Sequence, residues 1–585
     1  MPTIRQALES RVSQAITAAT GIADNAPNVI QASRPDFGDY QANGVMAMAK
    51  QARSNPRELA QQVVDRLDRG DLIDRAEVAG PGFINLFLTD RWLGEAAGRT
   101  LADPTSSLEA AVDPQTVVVD YSSPNLAKEM HVGHLRGTII GDALARVMQA
   151  LGHRVIRQNH VGDWGTQFGM LIAHLEDLRQ ADSDAELSTE LSDLETFYRH
   201  AKQRFDAEPE FADRARHYVV RLQQGDEQCL AMWEQFIEES LRHCEAVYEM
   251  LGVLLTRDDL KAESSYNNDL NEVVKALNEK NLLRESQGAQ CVFLDEFVGK
   301  DGTPLPAIVQ KRDGGFLYAT TDLAAARYRC QTLRADRVLY VVDARQSLHF
   351  QQVFAIARRA GFAPDNCSLE HIAYGTMMGK DGKPFKTRSG DTVKLKDLLE
   401  EASERAYRLV SDKNADLDEA ERRNIARTVG VSAVKYYDLA RNRNSDYVFD
   451  WSAMLSFEGN TAPYMLYAYA RICSILRKLD EGGTVDTLDD GVAALDWEAP
   501  EERALVLKLL QLPEAVQQVA QEGYPNHLCQ YLFELAGLFM RFYESCPILK
   551  ADAGRRQQRL AIARLSAQTI RKGLELLGIP TLERM

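Results

Sequence analysis

The middle of the chain alternates short apolar runs with apolar residues spaced as on a helix. The run from Thr116 to Val119 is apolar and β-branched, which is typical of a buried strand in a parallel sheet. A polar turn follows, and apolar residues then recur at roughly helical spacing: Leu135, Ile139, Leu144 and Met148. Gly152 is the predicted helix stop. Strand, turn and helix in this order direct backbone N–H groups and a positive helix end into a crevice above the sheet.

Later segments repeat this pattern and predict an α/β domain over residues 116–400. Three of them predict further strands or a passage from strand to helix: Arg154–Gln158, Phe316–Asp322 and Arg337–Val342. An acidic helical stretch at about 175–255 and two short strands, Cys291–Leu294 and Ala307–Gln310, interrupt the pattern. We therefore expect insertions between the two halves of the domain, over about 175–310.

Different patterns flank this domain. Residues 1–105 combine a helical stripe, a helix start at Asn55-Pro56 and a strand candidate at Phe83–Leu88, which predicts a small α+β domain. The stripe consists of Ile4, Leu8, Val12 and Ile16. The polar stretch Asp103–Gln115 is the predicted linker. From 401 to 585 the pattern is helical throughout and predicts an all-α domain.

Composition sets limits on function without assigning one. The chain of 585 residues is long enough for about three or four domains. Its formal charge of −17 favours solubility and gives no global sign of nucleic-acid binding, although a local basic face remains compatible with it. The eight cysteines form no C-x-x-C pair, so neither a disulfide framework nor a zinc site is predicted. Because the sequence shows no leader pattern and no long apolar run, we expect a cytoplasmic protein that does not bind membranes.

Two histidines stand where the predicted helix begins. His131 and His134 flank Gly133, where the missing Cβ would let a flat ring such as adenine lie close to the backbone. The start of a helix is a ready anion site, suited to nucleotide phosphates. Two other interpretations stay open. The histidines could be metal ligands, although no Cys or acidic partner stands nearby at zinc spacing, or they could be satisfied structural residues.

The histidine motif and its surroundings resemble a known family. His131-Val132-Gly133-His134 is similar to the HIGH motif of class I aminoacyl-tRNA synthetases, and Ser123–Lys128 and Asn159–Gly169 resemble arginyl-tRNA synthetases specifically. The likeness covers essentially the whole chain. It implies a class I Rossmann-like parallel sheet with insertions as the catalytic domain. It also implies an N-terminal α+β domain that contacts tRNA and a C-terminal, anticodon-binding helix bundle.

The resemblance also implies an activity. Members of this family activate L-arginine with ATP to arginyl-adenylate and pyrophosphate, then transfer arginine to the 3′-terminal ribose of tRNA(Arg). We therefore expect L-arginine, tRNA(Arg) and ATP with Mg²⁺ as ligands, no structural metal bound by the protein, and a monomer. Two alternatives remain: a class I synthetase of another amino-acid specificity, and a non-catalytic tRNA-binding paralogue. The zinc-binding set expected of a cysteinyl enzyme is absent, and the intact H-V-G-H argues against the paralogue.

A loop rich in glycine and lysine, Gly379–Gly390, matches the position of the KMSKS loop of class I synthetases but lacks that sequence. Lysines on such a loop hold the triphosphate as charge builds on it. The resemblance implies Lys386 as a catalytic phosphate contact beside the two histidines, with Lys383 and Arg388 as further ATP-binding residues. Lys128 would supply part of the positive charge. The alternative is a solvated basic turn.

The resemblance places the arginine pocket at the carboxyl edge of the sheet. The residues that match family substrate-binding positions are Asn125, Glu263, Tyr318, Asp322 and Gln346. The chemistry fits independently, because a guanidinium is a planar fork of donors that needs carboxylates, and Asp322 or Glu263 supplies them. The alternative for Asp322 is a helix cap, a common role for Asp after a strand.

Two further segments match family positions that bind tRNA. Phe37, Tyr40 and Asn43 lie in a motif of the N-terminal domain, which in this family touches the D-loop. Tyr464, Tyr467 and Arg471 lie in a stretch that resembles the anticodon-binding bundle, and aromatic residues interleaved with Arg suit stacking on unpaired bases. The alternative in both segments is that the aromatic side chains pack a core.

Overall fold

The computed structural model describes residues 2–108, 110–181, 194–386, 393–413, 417–481 and 494–585. The first domain combines four helices with a four-stranded antiparallel sheet of order β1-β2-β4-β3. The strands are β1 (Val29–Gln31), β2 (Tyr40–Ala42), β3 (Ile73–Ala79) and β4 (Phe83–Leu88), and the helices are α1 (Ile4–Thr20), α2 (Val45–Gln51), α3 (Pro56–Arg66) and α4 (Asp90–Ala102). The stripe predicted for α1 is buried, and Asn55 caps α3, as the sequence predicts.

The second domain is built on the predicted parallel sheet. In chain order its strands are β5 (Thr116–Asp120), β6 (Arg154–Gln158), β7 (Leu283–Ser286), β8 (Ala289–Val292), β9 (Ala307–Gln310), β10 (Arg337–Tyr340) and β11 (Ser368–His371). The parallel sheet has the order β11-β10-β5-β6, so the buried strand Val117–Val119 lies at its centre. Strands β7, β8 and β9 form a separate antiparallel sheet.

The helices of this domain surround the parallel sheet and fill the insertion. They are α5 (Leu135–Ala150), α6 (Thr166–Ala181), α7 (Leu194–Ala207), α8 (Pro209–Gln223), α9 (Glu227–Leu251), α10 (Leu270–Glu279), α11 (Tyr318–Arg327) and α12 (Ser347–Ala360). Helix α5 approaches the end of β5 closely, because a Cβ on Gly141 would lie only 2.2 Å from Cβ of Tyr121. Strand β8 begins two residues before the predicted start. The two-residue turn Gln287-Gly288, with both φ angles positive, sets this register.

The remainder of the chain is helical, with one small exception. Its helices are α13 (Leu395–Lys413), α14 (Glu419–Leu439), α15 (Trp451–Met454), α16 (Ala462–Glu481), α17 (Pro500–Leu510), α18 (Leu512–Glu522), α19 (Asn526–Ser545) and α20 (Ala553–Leu576). The exception is a two-residue pairing between β12 (Met377–Met378) and β13 (Tyr447–Val448), which joins this region to the second domain. Among the helices described, none has both the length and the apolar surface to cross a membrane.

The first domain is fastened to the helical domain by a buried carboxylate. Glu514 accepts hydrogen bonds from the Tyr40 hydroxyl at 2.6 Å, the Arg5 backbone N–H at 3.0 Å and the Gln31 side-chain amide at 3.0 Å. Near this contact, the Arg503 guanidinium pairs with Asp39 at 2.7 Å. The first domain and the helical domain are therefore joined by hydrogen bonds and an ion pair in which each domain supplies one partner.

A buried lysine connects the C-terminal residues with the second domain through two hydrogen bonds. The Lys435 ammonium, on α14, donates to the carbonyl oxygens of Leu251 and Gly578, both at 2.6 Å. Burial lowers the pKa of Lys435 to about 8, and the nearby Asp142 opposes that shift. A Cβ on Gly578 would lie 2.9 Å from this ammonium, so the backbone can approach it only where no side chain intervenes.

Arg329 joins the carboxyl ends of three strands of the parallel sheet. Its guanidinium pairs with Asp120 at 2.9 Å, donates to Gln158 Oε1 at 2.7 Å and lies 4.8 Å from the centre of the Tyr340 ring. These three residues end β5, β6 and β10. Both members of the ion pair are buried, so removing either one would leave a charge without water and without a partner.

We expect Arg329→Met to lower the free energy of unfolding by about 3–5 kcal/mol, because Asp120 would remain as an uncompensated buried carboxylate. Urea unfolding of the full chain measures the loss of free energy. Lys275→Met is the matched control, since Lys275 forms an exposed pair with Glu272 and its removal should cost less than about 1 kcal/mol. Equal effects of the two substitutions would contradict the importance given to the buried pair.

Candidate active site

The crevice at the carboxyl edge of the parallel sheet begins with a strained turn. Ser122 and Ser123, directly after β5, have φ angles of 69° and 46°, a conformation that costs roughly 1–3 kcal/mol at residues other than glycine. Hydrogen bonds hold the turn: Ser123 N–H donates to Asn159 Oδ1 at 2.9 Å, and Ser123 Oγ donates to Asp120 Oδ1 at 3.0 Å. The turn therefore depends on the carboxylate that Arg329 fixes.

The two histidines of the H-V-G-H segment accept backbone hydrogen bonds at the same ring atom. Gly133 N–H donates to His131 Nδ1 at 3.0 Å, and His131 N–H donates to His134 Nδ1 at 3.1 Å. The ring centres are 4.0 Å apart. A neutral imidazole that accepts at Nδ1 carries its proton on Nε2, so both rings are left with an Nε2–H donor.

The surroundings keep both imidazoles neutral. Burial lowers the pKa of His134 to about 3, with a contribution from His131 beside it. Burial also lowers the pKa of His131, and the positive charges of Lys128 and Arg345 lower it further. Cations that attract phosphate therefore also preserve the neutral donor form of the neighbouring ring.

Gly133 has a packing role that the sequence did not reveal. A Cβ at this position would lie 2.8 Å from Cε1 and 2.9 Å from Nδ1 of the His131 ring, closer than nonbonded atoms approach. Any side chain here would push the His131 ring out of its bond with the Gly133 N–H. Because Gly133 has no side chain, the His131 ring can keep its hydrogen bond with the Gly133 N–H.

The lysine-rich loop is brought to the histidines by a short backbone pairing. Val132 N–H donates to the Val393 carbonyl at 3.0 Å, and Leu395 N–H donates to the Met130 carbonyl at 2.9 Å. Beside this pairing, a cavity of about 240 Å³ is lined by His131, Gly133, Arg345 and Lys386, among others. Lys383 is exposed on the turn that follows β12, where its carbonyl accepts the Gly379 N–H. Arg388 lies outside the described residues.

Lys128 contacts the helical insertion. Its ammonium lies 4.1 Å from the centre of the Tyr198 ring on α7, a cation–π contact. It is also close enough to His131 to lower the pKa of that imidazole. The predicted second source of positive charge is therefore next to the histidines, with its ammonium held by a residue that sequence reasoning did not select.

A cluster of carboxylates forms the second part of the crevice. The Glu263 backbone N–H donates to the Val161 carbonyl at 3.0 Å, which fixes Glu263 against the segment after β6. Burial, together with the charges of Asp322 and Asp163, raises the pKa of Glu263 to about 7. Asp163 is bonded by the backbone and hydroxyl of Ser264, whereas the Glu263 carboxylate accepts no hydrogen bond from any described residue. Among the residues that the structure describes, no Lys or Arg forms an ion pair with Glu263, Asp322 or Asp163.

Asp322 lies within a helix and not at its cap. Helix α11 begins at Tyr318, and Leu317 occupies the cap position, so the cap interpretation of Asp322 is wrong. The carboxylate instead accepts a hydrogen bond from His349 Nε2 at 2.6 Å. His160 Nε2 lies 3.9 Å from its other oxygen.

The remaining predicted pocket residues lie on the loops and helix starts around this cluster. Tyr318 stands one helical turn before Asp322 and is 62 % exposed. Gln346 is exposed at the end of the turn that follows β10. Asn125 is exposed after β5, and its Oδ1 accepts the Ala127 N–H at 3.0 Å, which leaves its amide N–H groups for a ligand.

The predicted tRNA-binding residues of the first domain differ in accessibility. Tyr40 is 0 % exposed and its hydroxyl is bonded to Glu514, so its side chain cannot touch tRNA, and this part of the prediction is wrong. The reason is that the side chain forms part of the joint between domains. Phe37 remains exposed. Asn43 is partly buried, and its Oδ1 has no hydrogen-bond partner among the described residues.

Two of the predicted residues of the helical domain, Tyr467 and Arg471, form a partly exposed cluster. Arg471 donates to the Tyr467 hydroxyl at 2.7 Å, and its guanidinium lies 4.7 Å from the centre of the Tyr543 ring. Tyr464 is partly buried against Phe533. Two rings around one guanidinium provide the kind of surface on which an unpaired base stacks.

Sequence reasoning missed several residues that the fold brings to these sites: His160, Tyr198, Arg345, His349 and Tyr543. His160 lies two residues after β6, so its position beyond a carboxyl strand end could have selected it. Arg345 belongs to the turn that was correctly assigned to the carboxyl edge. His349, Tyr198 and Tyr543 carry no local signal, because only tertiary contacts bring them to their partners.

Three family models together match most of the chain. "tRNA synthetases class I (R), catalytic domain" matches residues 99–451, "DALR anticodon binding domain" matches 465–585, and "Arginyl tRNA synthetase N terminal domain" matches 6–88. Among curated proteins, the chain is 58 % identical to an arginine–tRNA ligase of Laribacter hongkongensis over 583 residues, covering 100 % of both. It is 56 % identical to one of Marinomonas sp., again covering 100 % of both chains.

Solved structures are similar over the same length. The arginyl-tRNA synthetase of Plasmodium falciparum superposes with a TM-score of 0.85 at 28 % identity, covering 100 % of both chains. That of Thermus thermophilus superposes with a TM-score of 0.82 at 27 % identity, covering 99 % of this chain and 100 % of the other. The predicted fold class, a parallel-sheet catalytic domain between an α+β domain and a helix bundle, is confirmed.

Proposed function

The chain belongs to the arginyl-tRNA synthetase family, and we propose that it is an arginine–tRNA ligase working through the crevice described above. The arginine carboxylate attacks the α-phosphorus of ATP, pyrophosphate leaves, and arginyl-adenylate forms. The 3′-terminal ribose hydroxyl of tRNA(Arg) then attacks the arginyl carbonyl, and AMP leaves. The observation that carries this proposal is that the crevice at the carboxyl edge of the sheet combines two carboxylates, Glu263 and Asp322, that form no ion pair with a described Lys or Arg, and two histidines with fixed Nε2–H donors.

The histidine side of the crevice stabilises charge on the phosphates. His131 and His134 each offer an Nε2–H whose direction is fixed by a backbone bond at Nδ1. Pre-organised donors of this kind act without reorganisation as charge develops. Lys386 and Arg345 line the same cavity as His131. We assign the further contacts with the phosphates to Lys383, Arg388 and Lys128. Gly133 keeps His131 in place.

The carboxylate side selects the amino acid. A guanidinium bound between Glu263 and Asp322 would replace the missing cation and relieve the repulsion that raises the Glu263 pKa. Tyr318, Gln346 and Asn125 orient the rest of the substrate. This charge pattern favours arginine over the uncharged substrates of other class I synthetases, since an uncharged side chain would leave a buried carboxylate unpaired.

Magnesium enters with ATP. Asp343 is the one acidic side chain among the described residues that line the cavity, and it is already paired with Arg345 at 2.8 Å. Mg²⁺ prefers oxygen ligands, so the phosphates and water hold it here. Within the described ranges there is also no group of three or more His, Cys, Asp or Glu side chains that could hold a metal ion.

The domains divide the recognition of tRNA(Arg). Residues 1–105 contact the tRNA through Phe37 and Asn43, residues 116–400 carry the chemistry, and residues 401–585 read the anticodon. Tyr467 and Arg471, with Tyr464 beside them, stack on the unpaired bases of the anticodon. The enzyme acts as a monomer in the cytoplasm.

ATP–pyrophosphate exchange with each amino acid, with and without tRNA, tests the proposed function. We expect exchange with arginine only, and only in the presence of tRNA, because the family typically needs tRNA to complete the site. Exchange driven by another amino acid would overturn the substrate assignment. Rapid exchange with arginine alone would leave the assignment intact and remove the tRNA requirement.

We expect replacement of His131 or His134 by Ala to lower turnover about 100-fold, since losing one pre-organised donor costs on the order of 3 kcal/mol. His217→Ala, at an exposed position, is the control and should keep wild-type turnover. At saturating arginine, the wild-type rate should not fall as pH drops through about 6.5, because both imidazole pKa values lie below the ordinary one. A folded variant that loses less than about threefold would contradict the role.

Arginine binding should release a proton from Glu263. The carboxylate is partly protonated in the empty site near pH 7, and a guanidinium binds its ionised form, so affinity should fall as pH drops below the Glu263 pKa of about 7. Calorimetry at about pH 6 in two buffers of different ionisation enthalpy measures the release. Glu263→Gln should bind arginine weakly and without pH dependence. Proton-neutral binding by the wild-type protein would show that Glu263 is not the ligand.

A further inference from the structure

We infer that His349 is a positioning residue for amino-acid selection, which holds the Asp322 carboxylate and the Tyr318 ring in the arrangement that a guanidinium requires. The inference rests on the proposed function, and adds a residue to the specificity of the same crevice. No motif in the sequence selects His349. Its position in the fold does, because one imidazole contacts two of the predicted arginine-binding residues.

The contacts join the starts of two helices. His349 lies in the first turn of α12, while Tyr318 and Asp322 lie four residues apart on one face of α11. His349 Nε2 is 2.6 Å from Asp322 Oδ2. The edge of the Tyr318 ring meets the same imidazole at a centroid distance of 4.8 Å and an interplanar angle of 62°. One side chain thus restrains both neighbours.

The bond to His349 determines which carboxylate oxygen remains for a ligand. Oδ2 of Asp322 accepts from His349, whereas Oδ1 accepts no hydrogen bond from the described part of the chain. His160 Nε2 lies 3.9 Å from Oδ1, which is too far for a hydrogen bond. The His160 Nδ1 is bonded to the Lys261 carbonyl and therefore carries a proton, so in the neutral ring Nε2 has none to donate. The acceptors left for a guanidinium are Oδ1 and the Glu263 carboxylate.

A guanidinium binds most strongly when its acceptors are held in fixed planes, because its N–H groups form a rigid fork. A hydrogen bond to one oxygen restricts the rotation of a carboxylate, and an imidazole donor provides that bond without adding an Arg or Lys to the pocket. An Arg or Lys in place of His349 would carry a positive charge and compete with the substrate. The imidazole is itself packed against Phe350 at a centroid distance of 5.1 Å, which limits its own motion.

The test separates recognition of arginine from catalysis. We expect His349→Ala to raise the arginine KM about tenfold, while kcat and the ATP KM stay within about twofold of wild type. The preference for arginine over citrulline should shrink in the same variant. His349→Gln, which keeps an N–H donor, should recover most of the arginine affinity. Leu348→Ala, at an exposed neighbour on the same turn, is the control and should leave all constants unchanged.

A double-mutant cycle decides between failure of the inference and failure of the proposed function. If His349 acts through Asp322, Asp322→Asn combined with His349→Ala should raise the KM no more than Asp322→Asn alone. A wild-type KM in Asp322→Asn would overturn the proposed pocket itself. A raised KM in Asp322→Asn with a wild-type KM in His349→Ala would overturn the inference alone. If the alanine variant does not fold, His349→Leu preserves the volume without the donor, and a wild-type KM there has the same meaning.

Discussion

The ion pair between Arg329 and Asp120 is the constraint on which the crevice depends. Arg329 gathers the ends of three strands, and the oxygen of Asp120 that accepts from Ser123 stabilises a turn with two positive φ angles. That turn delivers the chain to the histidines at the start of α5. A protein with a buried ion pair is seldom more stable than one with apolar residues in the same place. The role of this pair is therefore geometric, because an apolar side chain in place of Asp120 could not accept the hydrogen bond that orients Ser123.

The second charged centre of the crevice is left incomplete. Arg329 and Asp120 compensate each other within the protein, whereas Glu263 has acidic neighbours and a pKa raised to about 7. Because its folded-state pKa lies above the unfolded value, Glu263 costs stability as pH rises from about 4.5 and the full cost is present above about 7. The empty enzyme carries this cost, and a cationic substrate offsets it. Affinity for arginine and strain in its absence are two aspects of the same arrangement.

Local sequence predicted the features that depend on neighbours in the chain. The apolar run before Asp120 and the stripe after His134 placed β5, α5 and the histidines between them. Features set by distant contacts were not predictable. For Tyr40 the sequence left both a tRNA contact and core packing open, and only the fold shows that its hydroxyl bonds Glu514, 474 residues away. His349 likewise reaches Asp322 across 27 residues. Asp322 looked like a cap because the exact start of α11 is not written in the residues around it.

The buried Lys435 has a consequence for the order in which the protein is made. One carbonyl that receives its ammonium belongs to Leu251, and the other belongs to Gly578 near the far end of the chain. During synthesis, α14 leaves the ribosome well before the second acceptor exists. Until Gly578 has been made, the Lys435 ammonium has only the Leu251 carbonyl of this pair as an acceptor. A chain that ended before Gly578 would leave this ammonium with one acceptor fewer, and burying an ammonium without its hydrogen bonds costs free energy.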